Sequence, residues 1–150
     1  MLFRSLSAVL GGPRLLVKRD DQTGVAFGGN KTRKLEYVIA EAQANGAKTL
    51  VTMGGIQSNH CRQTAALARR FGFDCIMVLN GQEPEMPSGN LLVDHLFGAE
   101  IVWTKRPERN QTFERTFEQA WEAGRRPYKI PLGASNATGA LGMWRRWTSW

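Results

Sequence analysis

The chain has 150 residues, 42% hydrophobic and 22% charged, which gives one globular domain with a real core and leaves no room for two full ones. It has no run of about 18 apolar residues, which excludes a transmembrane helix; residues 1–10 lack the continuous apolar stretch of a secretion signal, so a cytoplasmic setting is expected. The net charge of +7 raises nucleic acid as a partner, but the basic residues are scattered in pairs such as Arg69-Arg70 and Arg145-Arg146, so they read as solvated surface that also suits an anionic ligand.

In chain order, the first element is a loop, Phe27-Gly28-Gly29-Asn30-Lys31-Thr32-Arg33-Lys34, that turns into a helix starting near Asn30 to Thr32. The helix dipole and the cations Arg33 and Lys34 press on Lys31 and disfavour its ammonium form, as a Schiff-base lysine requires. Lys34, three positions on, shares a helix face with Lys31 and can meet an anion. The bland alternative is a solvated basic helix start. Leu35, Val38, Ile39 and Ala42 form that helix's apolar face. A strand over 49–53 follows, then Gly54-Gly55-Ile56-Gln57-Ser58-Asn59-His60 and a helix through residues 64–68. Ser58 and Asn59 read either as helix caps or as an anion pocket, and the two readings are compatible.

Cys61 beside His60 suggests a nucleophilic pair, but neighbours on a helix point about 100° apart. Cys75 lies in the apolar run 75–79 and reads as a small buried hydrophobe. Two cysteines without CxxC spacing support neither a disulfide framework nor a zinc site, so no metal is expected. Further strands are expected at 101–103 and 128–132, with a helix between them that presents Phe113, Phe117, Ala120 and Trp121 on one face. The last loop, Gly133-Ala134-Ser135-Asn136-Ala137-Thr138-Gly139, reads as a structural turn into a small-residue helix.

Four glycines, Gly46, Gly72, Gly98 and Gly124, recur every 26 residues, each between a helical stretch and an apolar run. The repeat is one helix, a glycine stop and a buried strand. The fold class is therefore α/β: a mostly parallel sheet flanked by helices on both faces, with ligands bound beyond the C-terminal strand ends.

Taken together, the three loops resemble the landmarks of the D-cysteine desulfhydrase and 1-aminocyclopropane-1-carboxylate (ACC) deaminase family. They are Gly28 to Glu36, Gln57 to Ala66 and Pro131 to Gly142, in the family's order. The resemblance implies a tryptophan synthase β-like enzyme (fold type II) with pyridoxal 5'-phosphate (PLP) between a large and a small domain. Residues 1–33 would belong to the large domain, with a strand at 15–17, and 34–138 would form the small domain. Residues 139–150 would be a truncated or out-of-frame tail, with the C-terminal half of the enzyme missing. The resemblance further implies Lys31 as the cofactor lysine and proton-transfer base, with Asn30 and Lys34 holding the phosphate. Asn59 would stand by the ring hydroxyl, and Ser58 would take the substrate carboxylate close to the reacting carbon, with Asn59 and His60 also on the substrate side. His60 and Ser135-Asn136-Ala137 are closer to D-cysteine desulfhydrase than to ACC deaminase, and L-cysteate sulfo-lyase shares that pattern. A small amino-acid substrate, no nucleic-acid or membrane partner and a homodimeric parent complete the expectation. A catalytically inactive fragment is the alternative of another class.

Overall fold

The structure, a computed structural model, describes residues 4–147. Helix α1 spans Arg4–Leu10 and α2 Lys31–Ala44. Strand β1 (Thr49–Gly55), α3 (Asn59–Phe71), β2 (Asp74–Asn80), α4 (Gly89–Leu96) and β3 (Glu100–Thr104) follow. Then come α5 (Arg109–Glu122), β4 (Pro127–Lys129) and α6 (Ala137–Trp147). The 26-residue glycine repeat has a physical counterpart, since all four glycines adopt left-handed φ values of 64°, 74°, 78° and 70°. Behind each, the next amide bonds back to the helix: Ala47 to the Ala42 carbonyl, Phe73 to Ala68, Ala99 to Asp94 and Arg125 to Ala120. This is the six-to-one closure of a helix end that only a glycine stop permits cheaply.

The strands lie in the order β3-β2-β1-β4 and every pairing is parallel. β1 and β2 pair along their whole length, from Thr49 with Asp74 to Gly55 with Asn80. Alternation divides their side chains between two cores. Leu50, Cys75, Met77 and Leu79 pack with Leu35, Val38, Ile39, Ala65 and Leu91 of α2, α3 and α4. On the opposite face Val51, Ile76 and Val78 meet Phe113 and Ala120 of α5. The fold is thus the expected α/β sheet with helices on both faces.

Four details depart from the sequence reading. β4 stops at Lys129, and residues 132–134 turn into a short 3-10 segment with Gly133 and Ala134 at positive φ. Trp121 is 64% exposed, and its indole stacks on Phe117, 6.3 Å away. Leu16 makes a single isolated bridge instead of a strand over 15–17. The expected tail is helical through Trp147, with 148–150 outside the described residues. α6 lies against α2 so closely that a Cβ on Gly142 would stand 1.8 Å from the Arg33 carbonyl oxygen.

Candidate active site

β1 runs through residues 56–58 into α3, and β4 runs through residues 130–136 into α6. α2 leads back into β1, so its N-terminus lies at the same edge of the sheet as these two loops. This edge, beyond the C-terminal strand ends, is where open α/β sheets form ligand crevices.

The loop before Lys31 is held in an unusual backbone. Ala26, Phe27, Gly28 and Gly29 all have positive φ. A Cβ on Gly28 would lie 1.8 Å from the Asp21 carbonyl oxygen, and one on Gly29 would lie 2.3 Å from Gln63 Nε2. The Gly29 amide donates to Thr23 Oγ1 (3.0 Å) and to the Asp20 carbonyl (2.9 Å). Gln63 Nε2 donates to the Gly28 carbonyl at 2.8 Å and its Oε1 accepts from Thr32 at 2.7 Å. α2 therefore begins at Lys31, within the expected window.

The two cations read beside Lys31 turn to different partners. Arg33 is buried and bonds Asp20 Oδ1 through Nε (2.8 Å) and Nη2 (2.5 Å), so its charge is neutralised locally. Lys34 instead reaches across to the third loop, donating to Ser135 Oγ at 3.0 Å and the Gly133 carbonyl at 3.3 Å. Partial burial and then the Lys31 charge hold its ammonium below the usual lysine range. Lys31 Cε lies 3.8 Å from the point where a Gly133 Cβ would stand, so first and third loops meet at the two lysines. Asn30 is exposed and makes no side-chain cap bond.

In the second loop Ser58 caps α3, its Oγ accepting from the Cys61 amide at 3.2 Å. The cap uses an oxygen lone pair of the hydroxyl, whose side chain also bonds the Cys61 thiol. Asn59 Oδ1 accepts from Arg62 Nη1 (2.9 Å) and Asn90 Nδ2 (3.1 Å), which fixes the amide orientation and leaves its NH2 group outermost. His60 is 3% exposed, with Nε2 2.8 Å from Thr52 Oγ1 and that hydroxyl 3.1 Å from the Ile130 carbonyl. With Thr52 donating to Ile130, Nε2 carries the proton and donates to Thr52, and buried Nδ1 has no partner. Burial, then Lys31 and Lys34, lower the His60 pKa to about 3, so the ring is neutral. Burial pushes the Cys61 thiol up to about 12, and the Cys-His pair is not a nucleophile.

The third loop keeps its structural role, since Asn136 Oδ1 accepts from the Gly139 amide at 2.9 Å and caps α6. It also supplies Gly133 and Ser135 to Lys34. Arg62, Gln63, Thr23 and Asn90 position the first two loops, yet sequence reading gave them no role. The available signal was Gln63, a polar residue on the buried stretch of α3. Asn90, beside a glycine, looks like any turn residue.

A profile of the pyridoxal-phosphate dependent enzymes matches residues 2–146. The chain belongs to that family. D-cysteine desulfhydrase of Yersinia enterocolitica is 45% identical over 137 residues, 87% of this chain and 42% of the relative. The Yersinia pestis (strain Pestoides F) protein of the same name is 44% identical over the same share. Among solved structures, an ACC deaminase homologue has a TM-score of 0.86 at 37% identity, covering 96% of this chain and 44% of its own. A pyridoxal 5'-phosphate-dependent aspartate racemase shares the fold at a TM-score of 0.65 and 20% identity. The chain thus spans less than half the length of these relatives. The site fits PLP on its own chemistry: Lys31 and Lys34 gather two amines, and Lys34 bonds a carbonyl and a hydroxyl, with no carboxylate among the described residues in ion-pair distance of it. That arrangement suits an anionic phosphate beside an amine nucleophile.

Proposed function

We propose that the chain supplies the lysine-bearing part of a PLP-dependent carbon-sulfur lyase of the D-cysteine desulfhydrase type. The observation that carries the reading is the meeting of Lys31 and Lys34 with Gly133 and Ser135, beside a Ser58-Asn59 helix cap. Lys31 would be the covalent attachment point, Lys34 and Asn30 would hold the phosphate, and the Asn59 amide would stand by the ring hydroxyl. When bound, the cofactor's conjugated ring stabilises the carbanion formed at the substrate α-carbon. Ser58 would meet the substrate carboxylate with its hydroxyl, and Lys31 Nζ, once the substrate amine has displaced it, would take the α-proton. The β-carbon–sulfur bond then breaks with its electron pair on sulfur, which leaves with that proton as hydrogen sulfide. The remaining aminoacrylate is hydrolysed to pyruvate and ammonia. His60, buried behind the lysines, acts on the substrate side only through the residues it supports.

The similarity to D-cysteine desulfhydrases favours D-cysteine as substrate, and the ACC deaminase homologue makes ACC deamination the second reading. Two buried thiols and no membrane-length apolar helix among the described residues fit a cytoplasmic setting, and the family resemblance supports a homodimeric parent. Borohydride reduction in the presence of PLP, followed by peptide mapping, tests the assignment. The label is expected on Lys31, and a label on Lys34 or elsewhere overturns it.

A further inference from the structure

The Lys31 loop and the Asn59 loop come from different elements, and one buried side chain grips both. Arg62 donates from Nη2 to the Gly28 carbonyl and from Nη1 to Asn59 Oδ1 and Asn90 Oδ1, each at 2.9 Å. Its guanidinium carbon lies 5.9 Å from the centre of the Phe27 ring, within cation-π range. Phe27 and Gly28 are two of the four successive residues at positive φ. Such backbone persists only where its surroundings over-determine it, and it concentrates at functional sites.

Behind Arg62 stands α4. Asn90 also donates to the Gln57 carbonyl (2.8 Å), and one turn later Asp94 is wholly buried with neither carboxylate oxygen hydrogen-bonded. Arg62 Nε is likewise buried without a partner, and the two opposite charges attract.

We propose that Arg62 is a positioning residue that sets the Lys31 loop and the Asn59 amide in one register, backed by Asn90 and Asp94 of α4. The proposal rests on the reading that Lys31 and Asn59 hold the cofactor. A planar guanidinium serves acceptors in two directions at once, whereas an ammonium offers a single point of charge. A role as mere core charge and bulk would be met by lysine.

Hydrogen exchange on the purified chain, with and without Arg62→Lys, separates the two. The Gly28, Gly29 and Cys61 amides are expected to exchange about tenfold faster together in Arg62→Lys, the order of one lost charge-assisted bond. The central amides of β1 and β2 should keep their rates. Borohydride trapping of PLP at Lys31 should fall in step. Asn90→Ala is the second variant, because among the described residues its side chain bonds the Gln57 carbonyl, Asn59 and Arg62. It should still quicken Gly28 and Gly29, through Arg62, by less than Arg62→Lys does. Unchanged loop rates in Arg62→Lys, equal loosening of the strands, or unchanged Gly28 and Gly29 rates in Asn90→Ala overturns the proposal. Absence of label on Lys31 in the unaltered chain defeats the cofactor reading alone, since the exchange rates still decide the role of Arg62.

Discussion

His60 and Asp94 are buried ionisable groups that titrate in opposite senses. Burial raises the Asp94 pKa from 3.8 to about 7, with Arg62 opposing. Arg62 and Cys61 on α3 and Cys75 on β2 face it. The folded chain therefore keeps a proton that the unfolded chain releases, and this group's contribution to stability falls as pH rises from about 4 to about 7. His60 is depressed from 6.5 to about 3, so its contribution is complete above 6.5 and is lost as pH falls toward 3. The two slopes partly cancel in the parent and separate in variants. Asp94→Asn should gain thermal stability relative to the parent as pH rises from 4 to 8. A gap that stays constant across that range in melting experiments refutes the assignment. At Ser58, replacement by alanine should cost about 0.5–2 kcal/mol in denaturant unfolding if the hydroxyl only caps α3. If Ser58 also holds the substrate carboxylate, substrate affinity in the complete enzyme should fall well beyond that loss. At Lys34, alanine should erase any preference for PLP over pyridoxal in trapping at Lys31, because only the former carries a phosphate.

The helices meet the site through backbone as much as through side chains. α6 touches α2 at Gly142, where any side chain would collide with the Arg33 carbonyl. A backbone oxygen cannot rotate aside, so Gly142→Ala should lever α6 off α2 and destabilise the chain by about 1–3 kcal/mol. Differential scanning calorimetry would show it, and an unchanged melting temperature would mean that the two helices do not pack as described. The glycine stops and apolar faces were legible because they depend on neighbours within one helix turn. Leu35, Val38, Ile39 and Ala42 are all buried as their spacing requires. Trp121 was misread because periodicity assigns a face without knowing what packs beneath it. Arg33 was misread for a similar reason: its partner, Asp20, lies 13 residues upstream in a turn with no periodic signal.

Across the whole molecule, the three loop motifs were legible in order but their mutual contacts were not. Lys34 meeting Ser135, and Arg62 meeting Gly28, are facts of topology, fixed by the β3-β2-β1-β4 order rather than by any local pattern. His60 shows the same limit, since nothing in the motif says that its ring turns inward to Thr52. Burial is concentrated in β1 and β2, while α1 buries no residue. Native-state exchange should therefore be slowest at Leu50, Val51, Met77 and Val78 and fastest in α1. Comparable protection in α1 would show that the N-terminal helix is part of the core.

The Lys34–Ser135 contact joins residues 101 positions apart in sequence. At a synthesis rate of roughly 5–20 residues per second, the first reactive lysine leaves the ribosome about 5–20 s before the loop that covers it. Closing so long a separation is also slow in free chains, because its entropy is lost before the contact repays it. The β1-β2 pairing can thus form while Lys34 still lacks its partners in the third loop. Maturation of the site is in this sense timed by the third loop.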